Sequence, residues 1–287
     1  MGIINDFEYK KPKNIKEALQ LLAEKRGKSK ILAGGTDLIV YLKEELLKTE
    51  LVIDLKGIEE LNNIKVEKDK VIIGAGVTFT ELIESQEIQK KLPILWEACK
   101  KVASVGIRNR ATLAGNICSA VPSIDSAPAL LVYDAEIVVQ NATEKKNVSI
   151  HNWFTGPKKT ILASDEIVIS INIPLSKHTG GYEKLGRYQG EDLAQAGIGI
   201  LVDSVKNYRF ASCAVGPVPK RLYKLEEYLQ GKEINEEILA KAGDIISDEI
   251  SPISDIRSSA EYRTHMMKVM FNRGFKKALT SMKGGRL

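Results

Sequence analysis

The sequence predicts an α+β fold in two parts, and three observations carry the prediction. Within the first sixty residues, helix-period and strand-like segments alternate in a β-α-β order, which implies a small parallel unit because parallel neighbours need a crossover. A hairpin signal follows at Lys68-Asp69. Beyond Pro174, three strand-like segments run in close succession and are followed by helices to the end of the chain.

In chain order, "NIKEALQLLAEKRG" repeats apolar residues at Ile15, Ala18, Leu19 and Leu22, one face of a 3.6-residue period. Asn14 stands as its N-cap with Glu17 three residues later, and Gly27 can end it. "KILA" reads as a buried strand, "DLIVYLKEELL" as a helix and "LVIDL", Leu51 to Leu55, as a second strand. "NIKVEKDKVIIGAG" reads as two strands around the Lys68-Asp69 turn, and "TFTE", Thr78 to Glu81, is a capping box that opens "LIESQEI". "LPILWEACKKVAS" is an amphipathic helix with Leu92, Leu95, Trp96 and Cys99 on one side. From Gly106 to Pro128 small residues dominate without clear periodicity; "APALLVYDA" then looks helical, and "EIVVQN" and "EIVISINIP" look like strands.

Gly180-Gly181, after Pro174, is the best linker signal. "YEKLGRY", "AGIGILVDSV" and "RFASCAVG" predict three antiparallel strands, and the last helix carries Tyr262, Met266, Val269 and Met270 at core spacing. The expected division is a first domain over 1–175, in lobes of about 1–56 and 57–175, and a second over 180–287.

Composition excludes several function classes. With 287 residues, 44% hydrophobic and 28% charged, the chain is an ordinary globular protein able to bury a full core. Its net charge of +5 is spread among alternating signs, so no basic stripe tracks a nucleic-acid backbone. No apolar run reaches the length of a membrane span, and "GIINDFEYKKP" lacks the apolar core of a signal peptide, so a cytoplasmic location is expected. Cys99, Cys118 and Cys213, like His151, His178 and His265, are scattered; a metal site built by this chain alone is not expected.

Two segments offer chemistry. In "ILAGGTDLIV", Gly34 and Gly35 sit between a strand and a helix. Such a pair permits positive φ and close approach to the backbone, and the following N–H groups suit an anion such as pyrophosphate. The alternative is a plain tight turn. Asp37 would repel phosphate if it pointed inward; it turns away to cap the helix from Leu38 or accepts from a hydroxyl. In "VGIRNRATLAGNICSAVPSIDSAPALL", the residues Thr112, Gly115, Asn116, Ser119 and Asp125 place hydroxyl, amide and carboxylate groups among small apolar neighbours. That suits a dry pocket for an extended polar molecule, or a polar loop that satisfies itself.

Together with "FEYKKPKNIKEALQLL", "YEKLGRYQGEDLAQAGIGI" and "DIRSSAEYRTHMMKVMFNRG", these segments resemble, in order and almost end to end, the FAD-binding subunit of the molybdenum hydroxylases, the xanthine dehydrogenase and carbon monoxide dehydrogenase family. The resemblance implies a vanillyl-alcohol-oxidase-type (PCMH-type) two-lobed FAD-binding domain with a C-terminal α+β domain holding a three-stranded antiparallel sheet plus helices. It implies that Ile31, Leu32, Ala33, Gly34, Gly35, Thr36, Asp37 and Leu38 lie along the FAD pyrophosphate. Thr112, Leu113, Ala114, Gly115 and Asn116, with Ser119 and Asp125, would hold the rest of the dinucleotide, and Val168 and Lys184 would line the flavin site. Val168 is also a natural strand-core residue and Lys184 a natural solvent-facing one.

Ala114 stands where the family often has glycine, which is tolerable if that position keeps negative φ. The glycine turn lacks the histidine used by some relatives of the wider fold for covalent attachment, so FAD is expected to be non-covalent. By the same resemblance, molybdopterin and two [2Fe–2S] clusters reside on a large and a small partner subunit. Electrons would pass from those clusters through FAD to NAD⁺ or another acceptor. No catalytic side chain is expected; Tyr188 could cover a ring face or simply pack. The alternative function is a self-sufficient FAD-dependent oxidase or reductase of the same fold.

Overall fold

A computed structural model describes residues 3–188 and 191–283. In the first lobe, β1 (Glu8–Lys10), β2 (Ser29–Leu32) and β3 (Leu51–Asp54) form a parallel sheet in the order β1-β3-β2. Helix α1 (Ile15–Glu24) crosses between β1 and β2 and buries Ala18, Leu19 and Leu22. Its N-terminus is capped as the sequence predicts, the Asn14 side chain accepting from the Glu17 N–H at 2.9 Å. Gly27, past its end, takes φ +76°.

Helix α2 (Leu38–Lys43) has only six residues, shorter than the pattern through Leu47 predicts. Leu42 packs with Leu32 and Val52 in a small separate core, whereas Leu46, one turn on, is exposed. The helix stops where the chain turns at Glu45 with φ 55°, and Leu47 rejoins the small core from beyond the turn.

The second lobe begins with the predicted hairpin, β4 (Ile64–Val66) and β5 (Lys70–Gly74). Six short helices follow: α3 (Phe79–Glu84), α4 (Gln86–Lys91), α5 (Pro93–Lys100), α6 (Val105–Arg108), α7 (Leu113–Ser119) and α8 (Ser126–Val132). The capping box at Thr78 and Glu81 is formed in both directions. Next come β6 (Glu136–Gln140), β7 (Lys145–Ser149), a small hairpin of β8 (Phe154–Gly156) and β9 (Lys159–Thr160), and β10 (Ile167–Pro174). The antiparallel sheet runs β4-β5-β10-β6-β7. Its edge strand β7, "KKNVS", is largely exposed and so carries little of the apolar signal by which the other strands are legible.

The third part is a four-stranded antiparallel sheet of β11 (His178–Leu185), β12 (Ala196–Asp203), β13 (Tyr208–Cys213) and β14 (Lys220–Arg221), not the three strands expected. Behind it lie α9 (Tyr223–Leu229), α10 (Glu236–Glu249) and α11 (Ala260–Lys283). Gly180 and Gly181 are not a linker; both lie inside β11. A Cβ at Gly180 would fall 2.0 Å from the Ile200 carbonyl oxygen of β12, so glycine is required there by strand approach. The buried face of α11 is Arg263, Met267, Met270, Phe271, Phe275 and Ala278. Of the predicted set only Met270 belongs to it. Tyr262 is 49% exposed, and Met266 and Val269 are half-buried. The adjacent methionines make a one-residue rotation invisible in the pattern, and the buried face opens on an arginine. Arg263 is 1% exposed, donates to the Gln195 carbonyl at 3.0 Å and lies 2.7 Å from the Asp255 carboxylate.

An electrostatic knot joins the second lobe to this last part. Asp134, held at φ 53°, receives His151 at 2.8 Å, Arg209 at 2.7 Å and Arg221 at 2.8 Å. Burial alone would raise its carboxyl, but the His151 hydrogen bond and the two guanidinium charges hold it below the ordinary value of 3.8. A carboxyl depressed in the folded state stabilises above its unfolded pKa and loses that contribution as pH falls through the folded one. Asp134→Asn should therefore lower stability to urea at neutral pH, and the gap to the parent should close only below pH 3.8. Gly180→Ala should cost about 1–3 kcal/mol or more by overpacking between strands, read from the same denaturation curves.

Candidate functional site

The residues that the sequence marks for chemistry converge on one cleft of about 740 Å³. Ile31, Ala33, Gly34, Gly35, Thr36, Asp37 and Leu38 form one wall, and Thr112, Ala114, Gly115, Asn116, Ser119 and Asp125 another. Val168 lines it as well, at an irregular point of the β10–β6 pairing where the register shifts between Val168 and Ser170. It is buried strand core and cleft wall at once.

Three predicted residues stand elsewhere. Leu32 points the opposite way from Ile31 and Ala33, as alternation along a strand requires, and enters the small core with Leu42. Leu113 is fully buried in the main core. Lys184 is half-buried behind the cleft wall rather than lining the cleft or facing solvent; its Nζ donates to Asp125 Oδ2 at 2.8 Å and to the Lys101 carbonyl at 2.7 Å.

The glycines answer first to the backbone. A Cβ at Gly34 would lie 2.1 Å from the Arg110 carbonyl oxygen, so the turn from the first lobe touches the main chain of the second. Gly35 takes φ +80°, a conformation that disfavours side chains. A Cβ at Gly115 would sit 3.0 Å from Thr112 Oγ1, the hydroxyl that caps α7 by accepting the Gly115 N–H. Ala114 is helical with no positive φ, so its methyl is accommodated.

After the turn, the first helical hydrogen bonds run from Ile39 N–H to the Gly35 carbonyl and from Tyr41 N–H to the Asp37 carbonyl, each 3.0 Å. The N–H groups of Gly34, Gly35, Thr36 and Asp37 meet no protein acceptor among the described residues. That run of free donors in a cleft fits an anionic group such as a diphosphate. Because α2 is so short, the fit rests on the individual N–H groups more than on a helix dipole.

Asp37 does not cap α2 with its side chain. It faces Ser119 and Lys158: the shelter of the cleft raises its carboxyl, while the Ser119 hydroxyl and the Lys158 ammonium draw it down in part. The second segment both satisfies itself and lines the cleft. The Ser126 hydroxyl donates to Asn116 Oδ1 at 2.6 Å, and the Ser119 hydroxyl donates to the Asn116 carbonyl at 2.8 Å.

Behind the cleft, Asp125 is held by Lys184 and by the Tyr182 hydroxyl at 2.7 Å. Burial outweighs both and raises the Asp125 carboxyl; the Tyr182 phenol is raised well above its usual value, again by burial first. Cys118 lines the cleft with its thiol pushed up to about 12 by burial, which makes it a poor nucleophile. Tyr188 is 71% exposed beneath the Arg187 guanidinium, so it does not pack into the fold.

Sequence reasoning missed Tyr182, the fully buried partner of Asp125, and the cleft-lining Lys56 and Lys158. Lys56 follows the strand end at Asp54, and Lys158 follows the turn signal Gly156-Pro157, but nothing local aims either side chain at the cleft. Lys56 is itself tied to Asp54 at 2.8 Å, and Tyr9 shares that carboxylate. Among the described residues no group of three or more His, Cys, Asp or Glu could hold a metal ion, and no helix is long and apolar enough to cross a membrane.

Comparison with known proteins gives two family matches: an FAD binding domain in molybdopterin dehydrogenase over residues 5–176, and a CO dehydrogenase flavoprotein C-terminal domain over 181–278. The carbon monoxide dehydrogenase medium chain of Hydrogenophaga pseudoflava is 33% identical, covering 95% of this chain and 96% of that one. The xanthine dehydrogenase FAD-binding subunit of Escherichia coli O157:H7 is 30% identical over 98% of this chain and 99% of its own length. Among solved structures, a carbon monoxide dehydrogenase from Hydrogenophaga pseudoflava superposes with a TM-score of 0.92 at 32% identity, covering 96% of this chain and 98% of the other. Quinoline 2-oxidoreductase from Pseudomonas putida 86 does so with 0.92 at 25% identity, covering 98% and 99%.

Gly34→Ala should force the two lobes apart at the cleft floor, lowering stability by about 1–3 kcal/mol or more in chemical denaturation.

Proposed function

Because this chain belongs to the family of FAD-binding subunits of the molybdopterin dehydrogenases, we propose that it is the electron-transfer flavoprotein of a heteromeric molybdenum hydroxylase. In this reading a large partner carries the molybdopterin, a small partner carries the [2Fe–2S] clusters, and NAD⁺ or another acceptor takes the electrons from this subunit. The relatives support it as a medium chain and an FAD-binding subunit of dehydrogenases. The domain division proposed is 1–175 and 180–287, in keeping with the two matched regions, 5–176 and 181–278.

The observation that carries the reading is the set of free N–H donors from Gly34 to Asp37 in a cleft roomy enough for an extended ligand. Those donors would hold the FAD diphosphate by charge-assisted hydrogen bonds, each worth about 1.5–3 kcal/mol. Thr112 to Asn116, with Ser119 and Asp125, would line the rest of the dinucleotide, and Val168 would close the apolar side of the flavin site. Lys184 would act at one remove, by holding Asp125 in place. Bound there, FAD supplies the exchange between single-electron donors and a hydride acceptor, which no side chain can perform. The chain's own work is to bind, orient and exclude water. With no histidine in the turn, attachment is non-covalent.

Purified with its flavin, the chain should be yellow, oxidise NADH with an artificial acceptor, and show no activity on purines or aldehydes by itself. Added FAD should raise its stability by about 2.7 kcal/mol at a hundredfold excess over the dissociation constant. A melting point indifferent to FAD would overturn the flavin assignment. Hydroxylation or oxidation of a substrate by the isolated chain would instead favour a self-sufficient oxidase or reductase.

A further inference from the structure

The diphosphate assignment raises an electrostatic problem at Asp37. Its carboxylate belongs to the same turn as the free N–H donors, and two phosphates brought beside it would meet a like charge in a sheltered cleft. A cation is needed, and the cleft holds four candidates: Lys30, Lys56, Arg110 and Lys158. Lys56 is committed to Asp54. Lys30, Arg110 and Lys158 are all without an ion pair among the described residues; of the three, Lys158 is the one whose charge acts on the Asp37 carboxyl, and its ammonium lies 5.5 Å from the centre of the Tyr41 ring on α2, the helix that opens at the turn.

Resting on the flavin reading above, we propose that Lys158 is a diphosphate-binding residue, reaching from the β8–β9 hairpin across the cleft to offset Asp37 and contact the FAD phosphates.

The hairpin is anchored for that role. Lys158 takes φ 57°, and its N–H donates at 2.8 Å to the carbonyl of Ala120, itself at φ 48° where α7 ends. One main-chain hydrogen bond thus fixes the hairpin tip to the helix that carries Gly115, Asn116 and Ser119. The ammonium stays on a flexible stem, able to leave the Tyr41 ring for a phosphate oxygen. The influence of Lys158 on the Asp37 carboxyl places the two side chains in electrostatic reach even without a ligand. Lys159, the next residue, is exposed and lies outside the cleft, which makes it a charge-matched control.

The test titrates the full-length, flavin-free chain with FAD and with riboflavin, following flavin fluorescence at several salt concentrations. Lys158→Gln should weaken FAD binding by about tenfold or more, the scale of one lost charge-assisted hydrogen bond, and flatten its salt dependence. Riboflavin, which lacks phosphate, should bind the variant and the parent alike. Lys159→Gln should change neither affinity, and Asp37→Asn added to Lys158→Gln should restore most of the lost FAD affinity. Lys158→Arg, which keeps the charge, should retain FAD and guards against a loss that comes only from misfolding. Equal FAD affinity in the parent and Lys158→Gln, or equal weakening of FAD and riboflavin, would overturn the assignment of Lys158 alone. A parent chain with no affinity for FAD would overturn the flavin reading with it.

Discussion

The close approach of two main chains, with no room for a side chain at Gly34 where it faces the Arg110 carbonyl, sets the geometry of the site. The second lobe fixes its side of that contact by hydrogen bonds from the Phe79 N–H to the Ala111 carbonyl and from the Leu113 N–H to the Val77 carbonyl. The first lobe fixes its side through the parallel sheet, whose strand β2 delivers the turn. With the Gly34 position closed against the second lobe, the turn keeps its donors in the crevice between the lobes. The crevice and its free donors are therefore a by-product of how the lobes meet, and the glycines shape them by letting the two backbones approach.

The third part of the chain lies behind this crevice and stiffens it. Tyr182 and Lys184, both from β11, converge on Asp125 at the cleft wall, and Lys101 closes the circle by donating to the Tyr182 carbonyl at 2.5 Å. Ionisable side chains this deeply buried are tolerated because each has hydrogen-bond partners. The knot of His151, Arg209 and Arg221 on Asp134 does the same at the other end of α8. The C-terminal part thus acts as a brace: it lines little of the cleft but holds the segments that do.

Much of this was legible in local pattern. Capping chemistry at Asn14, Thr78 and Glu81, the parallel unit, the Lys68-Asp69 hairpin and the two site segments all depend on neighbours within a few residues. The errors share a different cause. The length of α2 depends on where the chain turns to bring Leu47 back to the small core, the rotation of α11 on which of two adjacent methionines meets Phe210 and its neighbours, and the place of Gly180-Gly181 on the approach of β12. β7 escaped notice because an exposed edge strand needs few apolar residues.

By itself the sequence determined where the backbone can bend, which residues are small and polar in an extended run, and which family the ordered motifs resemble. These follow from side-chain volume, φ preference and short-range capping, all properties of contiguous residues. Only the tertiary structure decided that Leu32 and Leu113 turn away from the cleft, that Lys184 bonds to Asp125, and that Lys158 comes from a distant hairpin to line the cleft beside Tyr41. Those outcomes depend on which surfaces exclude water together, and on charges brought near one another by chain segments far apart in sequence.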